Sequence, residues 1–552
     1  MSRIEAPQEA FCMMHFEQLW QAVRDHVVLL LILLPAFGAF AVRMIGPSNL
    51  AGARAIARSN AWASLVLLAI LVSQFQSTTD GSTSNWQQRS AITWVRIAPS
   101  LEYEEASAPS EKSTPAVAPI EIRMAVAIDG FGLPFVALVV AVAFAVIRDW
   151  SERSDDSYNA SHQQLADALL VQSTLLAVLT ATDAVWLSVC VLMATGAMFS
   201  LLSRSGQSER RIAAAKFLRS QLISAMMLVL GVLGLAVSCW WMSIRRETTA
   251  AFTFDLPTIV DRLPRLGMAT QAVHDHWELV GPWLFLLIAG GCVLRVPLPP
   301  FHPWFPAVAQ QTERGTLALL LVGWMPTGMV LGLRLLATAF APESLQLGDR
   351  VIVWCALSAC GMSCSSIAIK DPQRRFGVLL SAVGAMAFGG IWVGSTSAVH
   401  GSLLLLAGAS GVGALTLLTK PDWWTRSMAS DRDGWETHLL SDDGDHEAQR
   451  LGLKLLGLLA TTVGSWCLLR NYFSIGGMRL AFVMTVGFVM WSISTWPHSN
   501  GRSNHSQSAN LVSRRLIPLV VVLGVLGLWP QSVVNAVHSE PSDAAMAEPE
   551  AE

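Results

Sequence analysis

From Val27 onward the chain returns repeatedly to apolar runs of bilayer-crossing length, near 27–45, 61–75, 131–147, 165–182, 184–203, 217–244, 281–298, 315–338, 351–369, 376–395, 401–419, 451–473, 479–496 and 516–534. A helix needs about 20 predominantly apolar residues to cross about 30 Å of hydrocarbon. Fourteen such runs predict an all-α polytopic membrane protein of about 14 transmembrane helices. The composition agrees: of 552 residues, 53% are hydrophobic and 14% charged, against about 25% charged in a soluble domain. That much apolar surface requires lipid as part of the solvent. The second run is the weakest, unless its helix begins before Ala61.

The connections differ in kind. Residues 1–26 are mostly polar and include several acids, so they do not form a signal peptide. The insert 76–124 is rich in Ser, Pro and Glu and predicts a disordered loop. The segment 125–164 holds the third helix and a loop, and 420–450 is a charged surface loop. The tail 535–552 is acidic and predicted to be disordered. The net charge of −3, with no basic cluster interleaved with aromatics, gives no indication of nucleic acid as a partner.

Lys and Arg favour the odd-numbered connections, as at Arg54, Arg58, Arg210, Arg211, Lys370, Arg374, Arg375, Arg514 and Arg515. The positive-inside rule makes that side cytoplasmic. Fourteen crossings then put both termini on the non-cytoplasmic side of an inner membrane. Seven of the eight cysteines lie in apolar runs without a CxxC pair. Cys360 and Cys364, one helical turn apart, are read as small packing residues rather than a metal or redox pair. His274, His276 and Glu278 in "HDHWE" are read as a polar loop rather than a metal site.

One run ends abnormally. "RVPLPPFHPWFPAVAQQTERG", residues 295–315, places Arg295 before Pro297, Pro299, Pro300, Pro303 and Pro306. Proline lacks an N–H and clashes with the preceding turn, so no continuous helix passes through. An interruption is predicted between roughly Gly290 and Pro306, with His302 close to it. Broken helices beside ionisable residues occur in ion and proton carriers, where unpaired backbone dipoles and a charge meet. The competing reading is a surface loop with Arg295 reaching the interface. On these residues alone both stay open.

The surrounding segments resemble the antiporter-like subunits of respiratory complex I, the NADH:quinone oxidoreductase, and among them the M type. In the proline-rich signature His302, Trp304 and Pro306 match in spacing, and Arg334 falls on the arginine ending the next helix. "MAVAIDGFGLPFVAL" matches at Asp129, Gly130, Leu133 and Pro134; "ERRIAAAKFLRSQLISAMMLVLGVL" matches at Arg211 and Lys216. "DPQRRFGVLLSAVGAMAFGGIWVG" and "LVVVLGVLGLWPQSVVN" resemble later family segments in the same order. The family's Asp-Ala-His is replaced by Ala307, Val308 and Ala309. The resemblance implies two inverted helical repeats with broken helices, spanning 165–298 (its broken helix continuing to about 306) and 351–496, flanked by helices in 27–75, 315–338 and 516–534.

It also implies a membrane-arm subunit coupling quinone reduction to proton translocation. Other complex I-like membrane subunits and the lipid bilayer would be its partners. NADH, FMN, iron–sulfur clusters and quinone would belong to partner subunits, with none bound by this chain. The alternative is a subunit of a secondary cation/proton antiporter or inorganic-carbon uptake system of the same fold. No catalytic or metal residue is expected.

The departures concern the proton path. Leu192 stands where the family has a glutamate, Arg295 and Pro326 where it has lysines, and Ala385 and Gly408 where it has histidines. Between Leu451 and Trp496 there is no Asp or Glu. Arginine does not release its proton in a protein, so the path is expected to be degenerate. Arg295, His302, Arg334, Lys216 and Asp183 remain as proton-path or broken-helix candidates. Lys216 and Asp183 are read as interfacial anchors rather than relays.

Overall fold

The computed structural model describes residues 21–75, 86–97, 120–152, 162–204, 208–245, 252–267, 271–369, 371–393, 396–419 and 521–522. Its helices are α1 (Val27–Ile45), α2 (Leu50–Gln74), α3 (Leu133–Glu152), α4 (His162–Thr180), α5 (Ala184–Ser203), α6 (Ser208–Arg245) and α7 (Leu256–Gly267). They continue with α8 (Gln271–Arg295), α9 (Trp304–Gln311), α10 (Arg314–Ala337), α11 (Ala341–Ala368), α12 (Pro372–Ile391) and α13 (Thr396–Thr419). Ten helices among the described residues are long and apolar enough to cross a membrane. An eleventh apolar run, 165–182, forms α4, whose Asp167, Gln172, Ser173 and Thr174 lower its hydropathy but are buried in the bundle. The runs at 451–473 and 479–496 and nearly all of 516–534 lie outside the described residues, as do 420–450 and the acidic tail.

Helix starts follow capping chemistry. Asn49 Oδ1 accepts from Gly52 N–H (2.8 Å), so α2 begins at Leu50, well before the apolar run that marks it in the sequence. Asp371 caps α12 with Pro372 in the first turn, where a missing N–H costs nothing. The centre of the bundle is α10, buried along its whole length, with α3 beside it buried from Pro134 to Ile147. Two π-helical stretches, Leu320–Trp324 and Gly332–Ala337, interrupt α10. Pro326 cannot donate to the carbonyl four residues back, and the first π stretch directly precedes it, a common accommodation of such a gap.

The insert 76–124 is not wholly unstructured, and a strand precedes the third helix. Gln87–Ile97 (β1) and Ile120–Ile128 (β2) form an antiparallel pair in which Ala91 faces Ala125 and Ile97 faces Ile120. Ile92, Thr93, Trp94 and Val95 favour a strand, but the polar residues around them mask that signal over a long window. Ala125 to Ile128 are buried, and Thr182 N–H donates to Ala125 O (3.0 Å), seating β2 on the turn between α4 and α5. "HDHWE" is also not a loop. It lies in the first turns of α8, where His274 Nε2 meets Glu278 Oε1 at 3.0 Å and His276 stacks on Trp241. Cys364 is exposed and Cys360 half-buried on α11, and the two side chains meet one turn apart.

Polar contacts gather at the two ends of the bundle. At one end Asp167 is fully buried and accepts from Arg43 Nη2 (2.6 Å), Ser200 Oγ (3.0 Å) and Arg204 Nε. There Gln164 Nε2 also donates to Glu313 (2.7 Å). These contacts tie the C-terminal ends of α1 and α5 to the starts of α4 and α10. At the other end lie the β-hairpin, the start of α3, the α4–α5 turn and the C-terminal end of α10.

Candidate functional site at the broken helix

The last hydrogen bond of α8 runs from Val296 N–H to Cys292 O (2.9 Å), and helix resumes only at Trp304. The prolines of 297–303 account for the gap, which falls inside the predicted interval. Ending a helix leaves carbonyls without donors. Here α6 satisfies one of them, Gln221 Nε2 donating to Leu294 O (3.1 Å), and Ser224 Oγ adds a bond to Gly291 O (2.7 Å) in the last turn. The second half, α9, packs against α12, where Gly377 lies so close that a Cβ would come within 2.9 Å of Pro306 Cα. Unpaired backbone is tolerated at membrane depth where protein surrounds it; here Val296 and Leu298 are buried, while Pro300, Phe301 and Pro303 are exposed.

Arg295 points inward and is 0% exposed, so it is not a snorkelling interfacial residue. Its Nη1 donates to Thr327 Oγ1 (3.0 Å), and its guanidinium lies 4.6 Å from the centroid of the Trp324 ring. Thr327 in turn donates to Trp324 O (2.7 Å), and Trp324 Nε1 donates to Gln221 Oε1 (2.9 Å). Gln221 therefore joins the broken end of α8 to the π-helical turn of α10 that carries the ring over Arg295. Phe217 and Trp304 complete an aromatic wall, with Phe217 centroids 5.0 Å from Trp324 and 5.5 Å from Trp304. Gly328 allows the two helices to approach: a Cβ there would sit 2.8 Å from Arg295 Cβ and 2.9 Å from Cys292 O. Nε and Nη2 of Arg295 have no acceptor, and no carboxylate pairs with it among the described residues.

The other candidates separate from this centre. His302 is half-buried at the break, and its backbone carbonyl accepts from Phe305 N–H (3.0 Å). Lys216 is exposed on α6, and Leu192 is 40% exposed on the outer face of α5. Pro326 is buried in α10.

Arg334 instead belongs to a second buried site. Its Nε donates to Asp129 Oδ2 (2.8 Å) and its Nη2 to Asp129 Oδ1 (2.5 Å), while its guanidinium lies 4.6 Å from the Trp86 ring centroid. Asp129 Oδ1 also accepts from Gly132 N–H (2.8 Å), so one carboxylate closes the start of α3 and anchors the end of α10. Asp183 caps α5 by accepting from Val185 N–H (2.9 Å) and Trp186 N–H (3.0 Å). Burial raises its carboxyl to about 6, against the lowering effect of those bonds.

Sequence reasoning missed Gln221, Trp324 and Thr327 as site residues, and it did not join Asp129 to Arg334. A signal was present: Gln221 and Thr327 are hydrogen-bonding side chains inside runs otherwise suited to lipid.

The chain shares weak but consistent homology with known proteins. It is 24% identical over 396 residues to NADH-quinone oxidoreductase subunit M of two Mycobacterium tuberculosis strains, covering 68% of each chain. It is 23% identical over 203 residues to the F(420)H(2) dehydrogenase subunit M of Methanosarcina mazei, covering 36% of this chain and 37% of that one. No family-level sequence profile matches. Its fold is that of a chain in respiratory complex I from Thermus thermophilus (TM-score 0.63, 17% identity, 93% of this chain and 100% of that one). A chain of the Mrp complex from Dietzia sp. superposes equally well (0.65, 14%, 94% and 97%). So does a chain of an archaeal membrane-bound sulfane sulfur reductase (0.65, 13%, 92% and 77%). All three neighbours are parts of multisubunit membrane complexes.

Proposed function

We propose that this chain is an M-type membrane-arm subunit of a complex I-like NADH:quinone oxidoreductase, and that its own proton path is degenerate. The observation that carries the reading is the helix broken at a buried Arg295, in a chain whose sequence relatives are M subunits. In this reading the odd-numbered connections, including the segment around Arg204 and that before Pro372, face the cytoplasm, and both termini lie outside. The runs at 165–298 and 351–496 form the inverted repeats. Redox cofactors belong to partner subunits.

The chemistry argues against an ordinary lysine–glutamate relay. Leu192 and Pro326 cannot titrate, and the guanidinium of Arg295 stays charged. What the site can do is fasten the broken end of α8 to α10 through Gln221 and Thr327, and keep a fixed charge in the bundle. The second reading, a subunit of a cation/proton antiporter, has its support in the likeness to the Mrp complex chain.

Affinity purification of the tagged full chain from its native membrane decides between them. The expected outcome is co-purification of other membrane subunits together with NADH:quinone reductase activity. Co-purification of a partner set without redox activity, with cation/proton exchange after reconstitution, favours the antiporter reading.

A further inference from the structure

Arg295 combines three properties that are rarely found together: it is fully buried, it has no carboxylate partner among the described residues, and it is central. Its partners Trp324 and Thr327 lie close to the middle of the 24-residue span Arg314–Ala337, so the guanidinium is level with the middle of α10. No Asp or Glu occurs between Leu451 and Ser539, so the last three apolar runs cannot bring a counter-charge to it. The groups around it are neutral: the Thr327 hydroxyl, the Trp324 ring, the Gln221 amide bonded to that ring, and the Cβ contact at Gly328. Phe217 and Trp304 wall the same region with apolar area.

A positive charge in such a place repels any second one. The attraction or repulsion between unit charges grows as water and counter-ions are removed. A proton or metal cation moving through the break would pass the guanidinium, and Arg295 cannot step aside by giving up its own proton. The only other titratable residue between Val296 and Pro303 is His302, and a protonated imidazole there would meet the same repulsion. Helix breaks in membrane proteins are weak points, because they leave backbone dipoles that can carry water and ions.

We propose that Arg295 is an electrostatic plug, which closes the broken helix of this chain to protons and other cations while the break itself is kept. Trp324, Thr327 and Gln221 are positioning residues that hold the guanidinium across the gap. The proposal rests on the membrane-subunit reading above only in placing the break inside a bilayer. It does not need any partner subunit.

The test uses the full chain, purified in detergent and reconstituted into liposomes carrying a trapped pH indicator. A potassium gradient with valinomycin drives protons inward. Wild-type vesicles are expected to be as tight as protein-free ones. Arg295→Gln is expected to raise proton and sodium flux by about tenfold or more, with no rise in chloride flux. Arg295→Lys keeps a charge that can be lost, so its proton leak is expected to grow as pH rises. A folded Arg295→Gln chain as tight as wild type overturns the proposal. So does a leak that admits chloride equally, since that marks a packing defect, and so does leaky wild-type protein. Should Arg295→Gln fail to fold, the lysine variant decides: tightness that is the same at every pH overturns the plug. Failure to co-purify with redox subunits would sink the proposed function and leave these fluxes unchanged, so the two failures are distinguishable.

Discussion

Two buried arginines, each beside an interruption of regular helix, make opposite use of the same side chain. Arg334, on the second π-helical stretch of α10, is held by both carboxylate oxygens of Asp129, and the ring of Trp86 covers its guanidinium. Arg295, at the end of α8, has one hydroxyl and one indole face. The first is an ion pair that fastens distant parts of the chain, 205 residues apart. The second is a charge left standing. Burial alone therefore does not reveal what a membrane arginine does; its partners do.

The largest expected effect comes from breaking the paired arginine. Asp129→Ala leaves Arg334 buried without its carboxylate and removes the acceptor for Gly132 N–H. A loss of about 3–5 kcal/mol is expected, read as a large fall in the thermal midpoint in detergent and in the yield of folded protein. Partial recovery in Asp129→Ala combined with Arg334→Met would assign the loss to the stranded charge. A single variant as stable as wild type would mean that the pair contributes nothing.

Arg295→Met tests the other side of the comparison. Replacing an uncompensated buried charge by an apolar chain of similar reach is expected to leave stability unchanged or to raise it by about 1 kcal/mol. A fall as large as that of Asp129→Ala would show that Arg295 is paired after all, and the contrast between the two arginines would disappear.

An effect of similarly small size concerns Asp183, a carboxylate that caps a helix with no ion-pair partner among the described residues. Its folded value of about 6 lies above the ordinary 3.8. Between about pH 4 and 6 the folded chain therefore holds this proton more tightly than the unfolded chain. Stability from this group is highest at the acid end, falls as pH rises through that window, and is level above it. Asp183→Asn keeps an oxygen for Val185 and Trp186 N–H and removes the charge. A gain on the order of 1 kcal/mol near neutral pH is expected, with a flatter pH dependence of the thermal midpoint between about pH 4 and 6. An unchanged slope would show that Asp183 ionises at its ordinary value.

Much of the architecture was legible in order and spacing. Hydrophobic length depends only on neighbours along the chain, so local composition suffices to place eleven of the apolar runs, and each forms a described helix. The break after Arg295 was equally legible, because proline removes a donor wherever it stands. Local chemistry of this kind does not depend on the fold. The hairpin was not legible, since β1 and β2 find each other across residues 98–119, and pairing at a distance leaves little trace in local composition.

Residue types at the sites were visible in the sequence, but their partners were not. Asp129 and Arg334 stood out as separate matches to one family, and only the packing of α3 against α10 makes them a single ion pair. Gln221 looked like one polar residue in an apolar helix until α6 was laid beside both α8 and α10. Sequence determined that Arg295 would carry a permanent charge at the end of a helix, because guanidinium does not titrate and proline ends the turn. Whether that charge faces lipid, water or protein depends on which helices surround it, and that was decided only when α6, α8 and α10 closed around the guanidinium.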